Sequence, residues 1–271
     1  MILAIDVGAT KTLLAVFSKD GKLLHEQKIP TDHRYKAFLG DLGSVLQQEG
    51  FTRFKITAAC CALPGKVDRA PGVGITFGNL SWKRVPVRDD LEKILRSKTV
   101  FLENDAKLAG LYEALVHREY KKVLYLTLST GIGSGFIVDG KIDEAYGDAE
   151  AGHMVLEHEG KLKAWEDFAS GRVLVELFGK KAAELDNPFA WKHYAKNVAR
   201  GLDALLAVLQ PDVVIIGGSV GAYLQKFSDL LKEELKKINN NMVPIPPIIK
   251  ADKPEEAVIY GCYQYIQQRL G

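Results

Sequence analysis

The sequence predicts an α/β fold made of two related domains, and three observations carry that prediction. The first is a duplicated unit: residues 2–17 read as an apolar strand, a Gly-bearing turn and a second apolar strand, and the pattern returns at residues 123–138. The second is that both copies run on into Asp-Gly-Lys, at residues 20–22 and 139–141, a strong short-range signal for a hairpin turn. The third is the alternation of amphipathic helical stretches with short apolar runs, which is how strands joined by helical crossovers read. A repeated strand–turn–strand unit points to two domains facing one ligand.

Taken in order, residues 22–28 complete a three-stranded antiparallel ribbon with the first hairpin. Residues 35–49 put Phe38, Leu39, Leu42, Val45 and Leu46 on one helical face, with Gly50 as the expected stop. Residues 54–63 form a mostly apolar run closed by Pro64-Gly65, hence a buried strand. The Gly-rich stretch 71–82, with Asn79, is expected to be a loop, and loops at the carboxyl ends of strands are where such sheets bind ligands. A short helix at 86–96 and a short strand at 99–102 follow. Glu103-Asn104-Asp105 then opens a helix with Leu108, Leu111, Tyr112 and Leu115 inward. Asn104 and Asp105 are both good N-caps, and an Asp at a strand end just ahead of the second hairpin is also where a hydroxyl-activating base belongs.

Beyond the second hairpin, residues 142–145 suggest a short strand, and a polar segment with Glu150 and His153 comes next. Glu150, His153 and Glu166 can form one polar cluster. Residues 172–185 read as a helix relaxed at Gly179, and Asn187-Pro188 as the cap and first position of a long helix reaching Leu209. Pro211 leads into a strand at 213–216 that ends in Gly217-Gly218-Ser219. A strand–Gly-Gly–helix junction lets a flat or anionic ligand lie against the helix start, and it serves equally as a close-packed turn. An amphipathic helix at 225–238, an extended link through Pro244, Pro246 and Pro247, and a terminal helix at 255–270 that docks on the first domain complete the chain. The domains are expected at 1–117 with 254–271, and at 118–253.

The bulk numbers exclude several functions. Lys plus Arg number 36 against 34 Asp plus Glu, so a net charge of +2 gives no electrostatic case for nucleic acid or an anionic membrane. No apolar run spans a bilayer and no signal segment precedes the first strand, so a cytoplasmic location is expected. Cys60, Cys61 and Cys262 have no metal-ligand spacing and read as buried thiols.

The chemistry suggested by the two hairpins is phosphate binding. Glycine lets an anion approach the backbone, so successive N–H groups at Gly8 and Gly131 can converge on phosphoryl oxygens. Thr10 and Thr130 add hydroxyls and Lys11 a charge, and Asp6 at its strand's end suits a hydrated Mg²⁺. Neither turn is a Walker loop, because a strand follows where a helix belongs, and Gly131-Ile132-Gly133-Ser134-Gly135 lacks dinucleotide-fingerprint spacing.

The chain thus carries, in order, a DxGxTKT hairpin, a Glu-Asn-Asp helix start, an S-T-G-x-G-S-G hairpin, an E-A-G-H segment and a V-I-I-G-G-S turn. Together these resemble the ROK sugar kinases of the actin-like ATPase fold, two ribonuclease H-like α/β domains around a central cleft. The resemblance implies ATP and Mg²⁺ as cofactors, and Asp105 as the base that takes the proton of a hexose hydroxyl. It places Asn79, Asn104, Asp105, Glu150, His153 and Glu166 on the sugar, Gly8, Thr10, Lys11, Thr130 and Gly131 on the phosphates, and Gly217 and Gly218 on the adenosine side. It also implies a homodimer. One departure stands out: the family's cysteine-rich zinc motif after Gly-His has no counterpart, since residues 154–168 contain no Cys, so no structural zinc is expected.

The resulting expectation is ATP-dependent phosphorylation of a hexose, foremost the 6-OH of glucose. Fructose, N-acetylglucosamine and N-acetylmannosamine are the alternatives. A sugar-responsive regulator of the same fold needs a DNA-reading segment, for which the chain offers neither a preceding helix-turn-helix nor a basic stripe. A non-sugar ATPase switch would use the hairpins without needing the Asn104-Asp105 and Glu150/His153 set.

Overall fold

In the computed structural model, which describes residues 1–97, 99–239 and 241–271, both hairpins form as their apolar runs require. The chain divides into two compact units, Met1–Tyr112 with Glu256–Gly271, and Glu113–Glu255.

In the first unit β1 (Ile2–Val7), β2 (Lys11–Phe17) and β3 (Leu23–Pro30) make an antiparallel ribbon. Helix α1 (Tyr35–Leu46) and the single turn α2 (Glu49–Thr52) lead to β4 (Ala58–Leu63), which pairs parallel to β1 and is buried throughout. A strand buried on both faces must be apolar all along, and β4 is Ala-Ala-Cys-Cys-Ala-Leu. The small antiparallel sheet β5 (Gly65–Asp68), β6 (Val73–Phe77) and β7 (Lys83–Val85) follows, then α3 (Val87–Leu95), β8 (Val100–Asn104) parallel to β4, and α4 (Asp105–Val116). The main sheet has the order β3-β2-β1-β4-β8.

Two expectations are corrected here. Residues 71–82 are not one loop, because Val73–Phe77 forms β6: Gly74 leaves room for the Phe77 ring, which a Cβ would strike, and Phe77 then packs on Trp82 with Tyr35 and Phe38. Gly50 is not the stop of the first helix. Gln48 turns extended after Leu46 and its carbonyl accepts the N–H groups of Phe51 and Thr52 at 2.9 and 3.0 Å, which starts a new turn. Gly50 lies inside that turn, where a Cβ would come 2.6 Å from His25 Nε2.

The second unit repeats the plan. Strands β9 (Lys122–Leu128), β10 (Ile132–Val138) and β11 (Lys141–Ile142) are antiparallel, with Asp139 and Gly140 both at positive φ in the turn their sequence announced. β11 is shorter than expected because Asp143 Oδ1 accepts the N–H groups of Ala145 and Tyr146 at 2.9 and 2.8 Å, bending the chain away. A separate hairpin, β12 (Val155–His158) and β13 (Lys161–Ala164), precedes α5 (Glu166–Ala169) and α6 (Gly171–Phe178). Helix α6 ends at Gly179, whose φ of 68° is a left-handed cap.

Helix α7 (Pro188–Leu209) opens with Asn187 accepting the N–H groups of Phe189 and Ala190, as the Asn-Pro pair predicts. β14 (Val213–Gly217) joins β9 in parallel, α8 (Gly218–Gly221) is a single turn, α9 (Ser228–Ile238) is amphipathic, and β15 (Ile248–Lys250) completes the order β11-β10-β9-β14-β15. Helix α10 (Ala257–Leu270) belongs to the first unit, where Gly261 lets it meet α4 backbone to backbone at the Leu108 carbonyl. Cys60, Cys61 and Cys262 are free and buried. Among the described residues, no helix is long and apolar enough to cross a membrane.

Candidate active site

In the first unit three consecutive residues at the end of β8 have three different jobs. Glu103 points inward with 1% of its surface exposed and is gripped by Arg69, whose Nε and Nη2 donate to its two oxygens at 2.6 and 2.8 Å. Glu103 Oε1 also accepts the Asn104 N–H at 2.8 Å. Asn104 is the true cap of α4: its Oδ1 accepts the Lys107 N–H at 3.2 Å, and its Nδ2 donates to the Gly65 carbonyl at 3.0 Å. Asp105 follows as the first residue of α4. Its Oδ1 accepts the Ala106 N–H at 2.8 Å, and the side chain is half-buried.

Arg69 is itself held in place. Arg88 of α3 donates to the Arg69 and Ala70 carbonyls at 2.6 and 2.9 Å and to the Val100 carbonyl of β8 at 3.1 Å. Gly72 makes room for it, since a Cβ there would overlap the Arg88 side chain. Asn79 is exposed on the loop after β6, carried by the small sheet that Asn104 touches at Gly65.

Asp6 stands at the end of β1, level with Ala62 of β4 and, through Ala62, with Glu103 of β8. Burial first and the charge of Asp105 second push its carboxyl up to about 7. A carboxylate at a strand end is the type of oxygen ligand a divalent cation takes. The adjoining turn is closed by Gly8 N–H donating to the Lys11 carbonyl at 3.0 Å, and a Cβ on Gly8 would sit 2.8 Å from that oxygen. Thr10 and Lys11 are exposed.

In the second unit the matching turn borders a cavity of about 590 Å³, lined by Thr130, Gly171, Arg172, Lys181, Val220 and Tyr223 among others. That volume suits a nucleotide-sized ligand. Gly171 N–H, opening α6, donates to the Ser129 carbonyl at 2.6 Å and so pins the helix start to the turn. Gly217 and Gly218 are buried beside the cavity rather than on its wall. Gly218 has a φ of 84°, and a Cβ on it would lie 2.5 Å from Thr127 Oγ1, so the pair makes a close-packed turn that presents Ser219 and Val220 to the space.

Arg172, Lys181, Tyr223 and Glu255 on this cavity escaped the sequence reading. Only Arg172 had a local signal, directly after the Ala-Ser-Gly that starts α6.

Glu166 and His153 meet on the other side of the turn. Glu166 Oε2 accepts the Ile132 N–H at 3.2 Å, and its Oε1 lies 3.8 Å from His153 Nδ1. Glu150 joins through its backbone, its carbonyl accepting the His153 N–H at 3.0 Å, and its own side chain is half-buried. The segment is strapped to β10: Ser134 Oγ donates to the Ala149 carbonyl at 3.3 Å and accepts the Ala151 N–H at 3.2 Å, while Gly152 presses on the Ile132 carbonyl. The β12–β13 hairpin fills the chain between His153 and Glu166. Its base is closed by Trp165 N–H to the Met154 carbonyl at 2.9 Å, and Arg200 binds the Glu157 carbonyl and carboxylate.

Against known proteins, the family that matches is the ROK family, over residues 2–269. A glucokinase of Streptomyces coelicolor is 24% identical, with 96% of each chain covered. An N-acetyl-D-glucosamine kinase of Salmonella typhimurium is 27% identical over 90% of this chain and 91% of its own. Among solved structures, a Streptomyces griseus ROK family glucokinase in complex with glucose and AMPPNP superposes with a TM-score of 0.83 at 21% identity, covering 98% of this chain and 99% of that one.

Proposed function

The chain belongs to the ROK family, and on that premise we propose that it is a sugar kinase that transfers the γ-phosphoryl group of ATP to a hexose hydroxyl, foremost the 6-OH of glucose. The observation that carries this reading is Asp105: a half-buried carboxylate at a strand end, next in the chain to Asn104, which caps α4, and to Glu103, which Arg69 grips. Its role is general base. As the sugar oxygen attacks the γ-phosphorus its proton passes to Asp105, the new O–P bond forms, the bond to the ADP oxygen breaks, and sugar phosphate and ADP leave.

Phosphoryl transfer asks mainly for positioning and charge neutralisation. Asn79, Asn104, Glu150, His153 and Glu166 supply amides, carboxylates and an imidazole suited to vicinal hydroxyls. Gly8 and Gly131 shape the two turns, the Gly8 N–H being taken by the Lys11 carbonyl rather than left for phosphate as the sequence suggested, and Thr10, Lys11 and Thr130 supply hydroxyls and a cation for the phosphates. The adenosine falls to the cavity that the Gly217-Gly218 turn shapes, where Tyr223 offers a ring face and Arg172 and Lys181 positive charge. Asp6 would hold Mg²⁺, which supplies charge neutralisation at the phosphates when bound.

Relatives that act on glucose and on N-acetylglucosamine bracket the substrate class, so the test is a coupled ADP-release assay over glucose, mannose, fructose, N-acetylglucosamine and N-acetylmannosamine, with ATP and with polyphosphate. Release that depends on a hexose is expected. Hydrolysis that no hexose stimulates would overturn the reading in favour of a non-sugar ATPase switch.

A further inference from the structure

Glu166 makes contact on two sides at once. One oxygen holds the Ile132 N–H at 3.2 Å, immediately after the Thr130-Gly131 turn, and the other lies 3.8 Å from His153 Nδ1. Its base is rigid: the preceding Trp165 is fully buried, with its indole N–H donating to the Asn197 carbonyl at 3.2 Å, and Gly201 leaves room for the ring. The far end of the same short segment is tied to the same turn through Gly171 N–H and the Ser129 carbonyl at 2.6 Å. The Glu166 side chain extends from between these two fixed points.

Gly131 shows what that carboxylate controls. Its φ lies outside the left-handed region, so its backbone suits any residue. What excludes a side chain is Glu166: a Cβ at position 131 would sit 2.6 Å from Oε2, and the one other atom outside its chain neighbours within 4 Å is Glu166 Cδ at 3.7 Å. Among the described residues, the turn and the carboxylate are fitted to each other at that point.

We infer that Glu166 couples acceptor and donor binding: a sugar hydroxyl that engages it fixes the carboxylate that holds the Ile132 N–H, and so sets the Ser129–Gly131 turn for the donor phosphate. This rests on the proposed kinase reading, which puts Glu166 on the sugar and Thr130-Gly131 on the phosphate. Toward the turn, Glu166 is a positioning residue. Because coupling between two ligands is reciprocal, bound nucleotide tightens the sugar by the same factor that bound sugar tightens the nucleotide.

The experiment is calorimetric titration of AMPPNP with Mg²⁺, with and without a saturating concentration of the panel sugar that is turned over fastest. In the wild type the sugar is expected to tighten AMPPNP about tenfold. Gly131→Ala pushes the carboxylate aside, so it reduces that factor below about twofold and weakens the sugar alone by about fivefold or more, although residue 131 is not assigned to the sugar. In a Glu166→Ala background there is nothing to push, and adding Gly131→Ala is expected to leave the sugar affinity within about twofold.

Equal weakening by Gly131→Ala in both backgrounds overturns the inference, and so does a wild type that binds both ligands without coupling. Should Gly131→Ala fail to fold, Glu166→Ala decides: loss of the wild-type coupling supports the inference and retention overturns it. Absence of any sugar-dependent transfer is a different result, which removes the kinase reading and the inference with it.

Discussion

Asp6 is a carboxyl whose charge the fold opposes, and replacing it with Asn should change how stability depends on pH. The carboxyl titrates near 3.8 in an open chain and is pushed up to about 7 in the folded protein, by burial first and by the charge of Asp105 second. Between those two values the folded protein holds a proton that the unfolded chain has released. The stabilisation from neutral Asp6 is therefore complete below about pH 4 and is lost as pH rises through about 7. A shift of roughly three pH units corresponds to about 4 kcal/mol, and because Asp6 keeps part of its surface in water, about half of that is the working figure. Asn carries no such penalty. Urea unfolding of wild type and Asp6→Asn from pH 4 to pH 8, without divalent cations, should show the variant gaining about 2 kcal/mol relative to wild type across that range. Other titrating groups cancel in the difference. Parallel stability curves would refute the reasoning, and in Asp105→Asn the gap should shrink because the second cause is gone.

Three further outcomes are expected. Asp105→Asn should cut turnover by at least about 10²-fold while sugar affinity stays within a few-fold, measured by steady-state kinetics and direct binding; near-normal turnover refutes the assignment. Arg69→Gln strands the Glu103 carboxylate, 1% exposed, and should cost about 3 kcal/mol in urea unfolding. The double replacement Arg69→Gln with Glu103→Gln should recover at least half of that, and an equal loss in the double variant speaks against a buried-charge origin. Asn187→Ala removes the acceptor for the Phe189 and Ala190 N–H groups at 3.0 and 3.3 Å and should cost about 1 kcal/mol, with faster amide exchange confined to the first turn of α7; unchanged exchange there contradicts the capping role.

What the sequence disclosed, it disclosed through local chemistry. The two hairpins were visible because Asp-Gly turns and apolar runs act over a few residues, and Asn187-Pro188 announced α7 because capping is decided within one turn. The loop expected at 71–82 failed for a matching reason. Its glycines suggested irregularity, yet Gly74 exists to admit the Phe77 ring, and that ring is held by Trp82, Tyr35 and Phe38. No window around Gly74 contains all of those partners. In the same way Glu103 stood in plain view beside Asn104-Asp105, but its ion pair with Arg69 spans 34 residues and left no local trace. The cavity beside Thr130 draws its wall from residues as far apart as Ser129 and Glu255, so only the folded chain assembles it.

The two ladders also show how one backbone plan carries two chemistries. Each hairpin closes on a last pair, Val7 with Thr12 and Leu128 with Ile132, so Asp6 in the first sheet corresponds to Thr127 in the second. Asp6 is level with Ala62 and Ala62 with Glu103; Thr127 is level with Gly217, and the pairing of Ile216 with Lys250 makes Gly217 level with Ala251. Carried two residues further, Glu103-Asn104-Asp105 corresponds to Ala251-Asp252-Lys253. At those equivalent places the second unit has turned its backbone to another use, because the N–H groups of Asp252 and Lys253 donate to Glu113 at 2.8 and 3.0 Å. Where the first unit places Asp6 and Asp105, the second places Thr127 and Lys253. Under the proposed reading, the first unit's acids serve proton transfer and a cation, whereas the second unit's Thr130 turn and its cavity with Arg172 and Lys181 serve an anionic donor. The strand-end chemistry therefore differs between two units built on one plan, and a duplicated fold does not make their sites alike.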